Sequence, residues 1–147
     1  MSRDLMILFA IAMALMVMQM IGGFLQIRRY RKAVSRVHKL GNVGMGQKRG
    51  WFFNSYVVII ACDSNHIITG GEAMTGSTIF AQFHPIKELL DKPIVGQSID
   101  DYLAEFRQMS DRKQKFYRGY INALEALEMR FEREEHPEEE AEEAEED

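Results

Sequence analysis

Hydrophobic and polar positions divide the chain into three regions with different periodicities. Residues 5–25 form an unbroken apolar run of 21 residues without a charged side chain. Residues 51–83 contain short runs of β-branched and aromatic residues separated by Gly, Asp and Asn. In residues 99–131 a seam of mostly apolar residues recurs at alternating spacings of four and three. These patterns predict an apolar helix, a small β-sheet and a long amphipathic helix, and therefore an α+β chain.

The apolar run has the length of a membrane span. At about 1.5 Å per residue it covers about 31 Å as a helix, close to the hydrocarbon thickness of a bilayer. A cleaved signal peptide is an alternative, but it has a shorter apolar core and an A-x-A-like site, which this boundary lacks. A buried helix of a soluble protein is the other alternative, and 21 uncharged residues fit it poorly. We therefore predict a transmembrane anchor at residues 1–25.

The charges that flank this run predict its orientation. Six basic residues follow it closely: Arg28, Arg29, Arg31, Lys32, Arg36 and Lys39. Only Arg3, Asp4 and the terminal amine precede it. The positive-inside rule then places the N-terminus outside and the rest of the chain in the cytoplasm.

Residues 26–40 are predicted to continue the helix as a basic juxtamembrane segment. Its apolar positions fall on one helical face: Ile27, Tyr30, Val34 and Val37. No acid occurs between Asp4 and Asp63 to neutralise the six basic side chains. They contact either anionic lipid headgroups or the phosphates of DNA. Attachment to a span favours lipid, because a DNA groove is awkward to reach beside a bilayer.

Residues 41–98 predict a small antiparallel β-meander. The segment Tyr56–Cys62 is apolar on both of its alternating faces, which is typical of a central strand that is covered on both sides. Further strands are predicted at residues 67–74 and 77–83, with a fourth if residues 43–49 also pair. His84-Pro85 is predicted to open a short helix at residues 86–90.

Residues 99–131 predict an amphipathic helix or helix pair. The seam includes Leu103, Phe106, Tyr117, Tyr120, Leu124 and Leu127. Its polar positions Ser110 and Lys113 leave two readings open. One is a coiled-coil homodimer, and the other is two helices that fold back on the sheet with a break near Ser110.

The sorting of charge predicts an acidic, disordered tail at residues 132–147. The net charge of −4 combines +8 in residues 1–50 with −12 in the remainder. Eleven of the acids lie in residues 132–147, which contain almost no apolar side chain. Like-charge repulsion without a core disfavours folding.

The sequence offers no candidate catalytic, cofactor-binding or metal-binding residue. The histidines show no compact ligand spacing: His38, His66, His84 and His136. The single cysteine, Cys62, lies in the most apolar strand and is expected to be an inert core thiol. We therefore expect neither an enzyme nor a disulfide-linked fold.

Three segments resemble the glucitol (sorbitol) operon activator protein family. They are residues 26–50, 57–68 and 74–83, and the resemblance runs from the apolar run to about Gly96. Its most telling positions are Gly41, Gly44, Gly46, Asp63, Gly76 and Phe80. These motifs are of a kind that shapes the backbone and does not carry catalysis, so we expect structural roles for the six residues.

The resemblance implies a bacterial transcriptional activator of an operon for hexitol uptake by the phosphotransferase system. The family is often described as DNA-binding. Combined with the apolar run, it implies a single-pass protein of the bacterial cytoplasmic membrane that acts through a cytoplasmic regulator or phosphotransferase component. Direct DNA binding through the basic segment and a structural role beside a membrane transporter are the alternatives.

Overall fold

The computed structural model describes residues 2–51, 54–76 and 80–135. In chain order the elements are α1 Arg3–His38, β1 Asn42–Lys48, β2 Tyr56–Cys62, β3 Ile68–Thr75, β4 His84–Pro85, β5 Glu88–Leu89, β6 Lys92–Pro93, α2 Ile99–Arg107, α3 Asp111–Phe116 and α4 Arg118–Glu135. The α+β class expected from the sequence is confirmed. Of the predicted acidic tail, residues 136–147 lie outside the described residues, and residues 132–135 form the last turn of α4.

The sheet has four antiparallel strands in the order β1-β2-β3-β4. Alternate side chains of β2 enter two separate cores. Val58 and Ile60 pack with α2 and α4 on one face. Ile59 and Ala61 pack with α1 on the other face. The prediction of a central strand covered on both sides is confirmed, because helices lie on both faces of β2.

Two local predictions after β3 are wrong. Residues 77–79 of the expected third strand lie outside the described residues, and residues 80–83 form no strand. The next pairing comes later, where Pro85 lies opposite Glu72 on the sheet edge, a position that requires no amide donor. The expected helix at residues 86–90 is instead the start of the β5–β6 hairpin. Leu90 and Asp91 form its turn with φ of 55° and 59°, which prevents helical continuation.

The predicted C-terminal seam folds back on the sheet within one chain. Ser98 precedes α2, and its Oγ accepts a hydrogen bond from the Asp100 amide at 3.2 Å, as expected for an N-cap. The chain breaks after α2, and Ser110 stands at the N-cap position of α3. Helices α2 and α4 both contribute to the core on the sheet. This is the helix-pair reading, with the second helix divided into α3 and α4.

Helix α1 is continuous through the apolar run and the basic segment. Its 36 residues extend about 54 Å. By length and composition it is able to cross a membrane. Its side chains are mostly exposed in the first two thirds and partly buried against the sheet in the last third.

Candidate functional site

The last turns of α1 pack directly on the sheet. Ala33 and Val37 are buried against Ile59 and Ala61 of β2. Tyr30 extends this contact, because its hydroxyl donates to Met45 Sδ at 2.9 Å and its ring lies 6.2 Å from that of Phe83. The helix that carries the apolar run is therefore part of the folded domain.

Polar contacts fix the position of α1 along the strands. Arg36 donates from Nε and Nη2 to the two carboxylate oxygens of Glu72 in β3, at 2.8 and 2.7 Å. Arg29 Nη1 donates to the carbonyl oxygen of Ala81 at 3.4 Å. At the other end, the Thr69 hydroxyl donates to the carbonyl of Leu40 at 2.8 Å. These bonds hold α1 against β3 and the segment before β4.

The six basic residues predicted to contact phosphate therefore divide into two groups. Arg29 and Arg36 are bonded to the domain itself. The other four are exposed: Arg28, Arg31, Lys32 and Lys39. The expectation that no acid neutralises this segment is wrong for Arg36, because Glu72 reaches it from a distant strand. Their hydrogen bond is the main reason that the pKa of Arg36 is raised.

Two of the glycines that carry the resemblance let α4 approach β1 closely. A Cβ atom on Gly44 would overlap the carbonyl oxygen of Ala123 and lie 2.7 Å from Leu127 Cγ. A Cβ atom on Gly46 would overlap the carbonyl oxygen of Gly119. No side chain larger than hydrogen fits at either position while α4 keeps its place. The motif is thus a packing surface for α4.

The remaining motif residues shape three turns. Gly41 has φ of 145° where α1 turns into β1. Asp63 Oδ1 accepts hydrogen bonds from the amides of Asn65 and Ile67, at 2.9 and 3.0 Å, and so closes the β2–β3 turn. Gly76 has φ of 89° after β3. Phe80 differs from these residues, because it is 81% exposed.

The seam residues line the core and one side of a cleft. The fully buried members are Leu103, Phe106, Leu124 and Leu127. Tyr117 and Tyr120 are partly buried at the edge of this core. They line an open cleft of about 1160 Å³, and Leu90 and Asp91 form part of its rim. Both rim residues have positive φ, so the rim holds backbone strain.

Tyr56 joins the cleft to the sheet. Its hydroxyl donates to the carbonyl of Phe116 at 2.7 Å and accepts from the amide of Gly119 at 3.2 Å. The hydroxyl therefore fixes the junction between α3 and α4. Burial raises the pKa of Tyr56 from its ordinary value of about 10 to about 12.

The described residues contain little that suits catalysis. Burial, followed by the charge of Asp63, raises the pKa of Cys62 to about 11, which keeps the thiol in its unreactive form. Within residues 2–51, 54–76 and 80–135, no three His, Cys, Asp or Glu side chains are placed to hold a metal ion. The cleft and the exposed cations are suited to binding.

Sequence reasoning missed the Arg36–Glu72 pair, the Tyr56 junction and the cleft. The two residues of the ion pair are 36 positions apart, so no local spacing connects them. Tyr56 and Gly119 are 63 positions apart. A usable signal was present at Glu72, because it is a lone acid in a strand of otherwise uncharged residues.

Comparison with known proteins gives a match to a family model. A family model described as glucitol operon activator protein (GutM) matches residues 7–117. The matched range extends past Gly96, where the resemblance was expected to end, and includes α2 and α3. No curated protein matches the chain, and no solved structure matches it.

Proposed function

Because the chain belongs to the glucitol operon activator protein family, we propose that it is a membrane-anchored activator that regulates a hexitol-uptake operon through a protein partner. The family description gives a regulatory role in transcription. The anchor, the cytoplasmic orientation and the partner are our proposal.

The continuity of α1 is the observation that carries this proposal. One helix contains the uncharged run at residues 5–25 and, two turns later, the docked residues Ala33 and Val37. A span in the bilayer would then hold the sheet at the membrane surface without a flexible linker. The large exposed apolar side chains of α1 lie mainly in the uncharged run, as a lipid-facing helix requires.

The charges after the run support a cytoplasmic domain. Arg28, Arg31 and Lys32 are exposed within two turns of Leu25. Such positions face lipid headgroups, where each cation contributes about 1 kcal/mol on an anionic leaflet. A domain held there meets soluble regulators and transporter components on the same surface.

Fractionation and thiol labelling test the anchor and its orientation. We expect full-length protein to stay in the membrane pellet after carbonate extraction. Ser98 caps α2, so the exposed Ala104 is the better cytoplasmic position for a cysteine. Ser2→Cys should react with an impermeant maleimide on intact cells, and Ala104→Cys only after lysis. The buried Cys62 provides an unreactive background. Protein in the supernatant, or labelling of Ala104→Cys from outside, would contradict the proposal.

Crosslinking in living cells identifies the partner. A photoreactive residue placed at exposed Asp91 on the cleft rim, at Met129 on α4 or at Arg31 on α1 samples three surfaces. We expect capture of a soluble regulator or a phosphotransferase component. Capture of a transporter subunit, together with unchanged operon transcript after deletion of the gene, would instead indicate a structural accessory role.

Direct DNA binding is the second candidate, and the exposed cations of α1 favour it. Arg28 and Arg31 contact phosphates in this case, whereas Arg36 is bonded to Glu72. Reversing both charges should then abolish promoter binding and leave membrane insertion intact. Promoter binding that survives this double reversal excludes the basic segment as the DNA-binding element.

A further inference from the structure

The direction of α1 determines which end of the sheet lies nearest to its apolar run. Leu40 lies over Gly70, which pairs with Ala61 near the end of β2. Eleven residues earlier, Arg29 reaches Ala81. Moving along α1 toward its N-terminus therefore means moving toward the end of the sheet where Lys48, Tyr56 and Thr75 lie. We call this the near end.

Arg29, which contacts the segment before β4, lies four residues after the end of the apolar run. Leu25 lies about 6 Å beyond Arg29 along the helix axis. Trp51 follows β1 and Phe80 precedes Ala81, so both lie past the ends of the strands. The Gly76 amide donates to the carbonyl of Ser55 at 2.8 Å, so the residues that precede β2 and follow β3 are bonded to each other at this end. The near end therefore faces whatever surrounds the base of the apolar run.

Cations and exposed aromatic rings are concentrated at the near end. The cations come from the end of β1, from α3 and from the start of α4: Lys48, Arg49, Arg112, Lys113, Lys115 and Arg118. Five of them line one groove, and the described residues that line this groove include no acid. Asp111 is the acid of α3. Three aromatic residues have large exposed fractions here: Trp51 84%, Phe80 81% and Phe116 56%.

The opposite end of the domain carries many acids. Asp63 lies in the β2–β3 turn, and Asp100 and Asp101 begin α2. Helix α4 ends at Glu135. The ring of Phe131, in its last turns, stacks on His66 at a centroid distance of 4.2 Å, which places the end of α4 at this opposite end of the domain. An anionic surface therefore attracts one end of the domain and repels the other.

We propose that the near end is a second membrane-contact surface, in which the groove cations bind anionic phospholipid headgroups and Trp51 and Phe80 enter the interfacial layer. This inference rests on the anchor proposed above. Aromatic rings favour the headgroup level of a bilayer, and Lys and Arg beside them bind its anionic lipids. The contact would hold the strands upright on the membrane, with the start of α2 and the end of α4 toward the cytoplasm.

Fluorescence of Trp51 tests this surface directly, because Trp51 is the single tryptophan of the chain. Full-length protein is reconstituted in vesicles of phosphatidylcholine alone and of an equimolar mixture with phosphatidylglycerol, each containing brominated lipid. We expect the emission of Trp51 to shift to the blue and to be quenched in the mixed vesicles. Lys115→Glu should reduce this quenching toward the level seen in neutral vesicles.

Lys87→Glu is the matched control. Lys87 is exposed and follows Ile86, whose amide bonds to Gly71, so it lies away from the near end. The Lys87→Glu variant makes the same change of charge as Lys115→Glu and should leave the quenching of Trp51 at the wild-type level. Equal quenching in wild type and Lys115→Glu would overturn the assignment of the groove to headgroups.

Flotation separates failure of this inference from failure of the anchor. Protein that floats with the mixed vesicles but keeps an unquenched Trp51 overturns the inference and leaves the anchor standing. Protein that does not float contradicts both. Binding of a duplex oligonucleotide in neutral vesicles at physiological salt, lost in Lys115→Glu, would overturn the inference by assigning the groove to nucleic acid.

Discussion

Arg36 and Glu72 form a two-bond ion pair that joins the end of α1 to the middle of β3. The Glu72 side chain is 12% exposed and that of Arg36 is 55% exposed. Removing the Glu72 carboxylate therefore breaks a planar, partly desolvated contact and leaves the Arg36 guanidinium without this partner. This pair helps to hold α1 against the sheet. The proposed anchoring requires that contact, because α1 would connect the sheet to the membrane.

Glu72→Gln should lower the free energy of unfolding by about 1 kcal/mol, since the Arg36 side of the pair remains hydrated. It should also increase amide hydrogen exchange in residues 30–38 of α1, because their contact with the sheet weakens. Denaturation in detergent and exchange mass spectrometry measure the two effects. Glu88→Gln, at an exposed position of β5, is the control. Unchanged exchange in α1 would show that the apolar contacts alone hold it.

Gly46→Ala should destabilise the fold by about 1–3 kcal/mol or displace α4, because the added methyl meets the backbone of Gly119. Thermal unfolding followed by circular dichroism measures the loss. Gly23→Ala is the control, since a Cβ there has no atom within 4 Å. A wild-type melting temperature for Gly46→Ala would mean that α4 does not pack on β1 in solution.

Tyr56→Phe should cost about 1–3 kcal/mol, because the Gly119 amide and the Phe116 carbonyl lose their common partner. The loss should appear as faster hydrogen exchange at the α3–α4 junction. Tyr30→Phe, which removes only a bond to the sulfur of Met45, should cost less. Similar losses in the two variants would argue against a special role of the junction.

Alkaline pH should weaken the fold through Tyr56. Its pKa is about 12 in the folded protein and about 10 as the ordinary value. The folded state therefore binds the proton more tightly, and its contribution is complete below pH 10 and lost as pH rises to about 12. The stability of wild type should fall more steeply across this window than that of Tyr56→Phe. If the stability of wild type and of Tyr56→Phe fell in parallel with pH, the raised pKa would not belong to Tyr56.

Cys62 should resist maleimide at neutral pH, because the thiol is buried and its pKa is about 11. Its labelling should then follow global unfolding, whereas Ala104→Cys reacts at once. Increasing denaturant should raise the Cys62 rate together with the unfolded fraction. Rapid labelling of Cys62 in native conditions would show that the sheet opens locally.

Local patterns were enough to predict several elements of this protein. The uncharged run predicted the long apolar helix, and apolar residues at every position of Tyr56–Cys62 predicted a doubly covered strand. Polar Ser110 within the seam marked the break that the fold-back reading required. These features were readable because the period of a helix or strand is carried by residues close together in sequence.

Tertiary structure decided how the candidate residues are used. Arg36 belonged to a set of like charges in the sequence and became a partner of Glu72 only through the docking of α1. Gly44 and Gly46 were expected only to have structural roles, yet they let α4 pack closely on β1, although α4 begins more than seventy residues later. Pairs so distant leave no periodic trace, because the contact depends on how whole elements pack. Packing also gave the sheet a near end and brought the cations of α3 beside Lys48 at the end of β1.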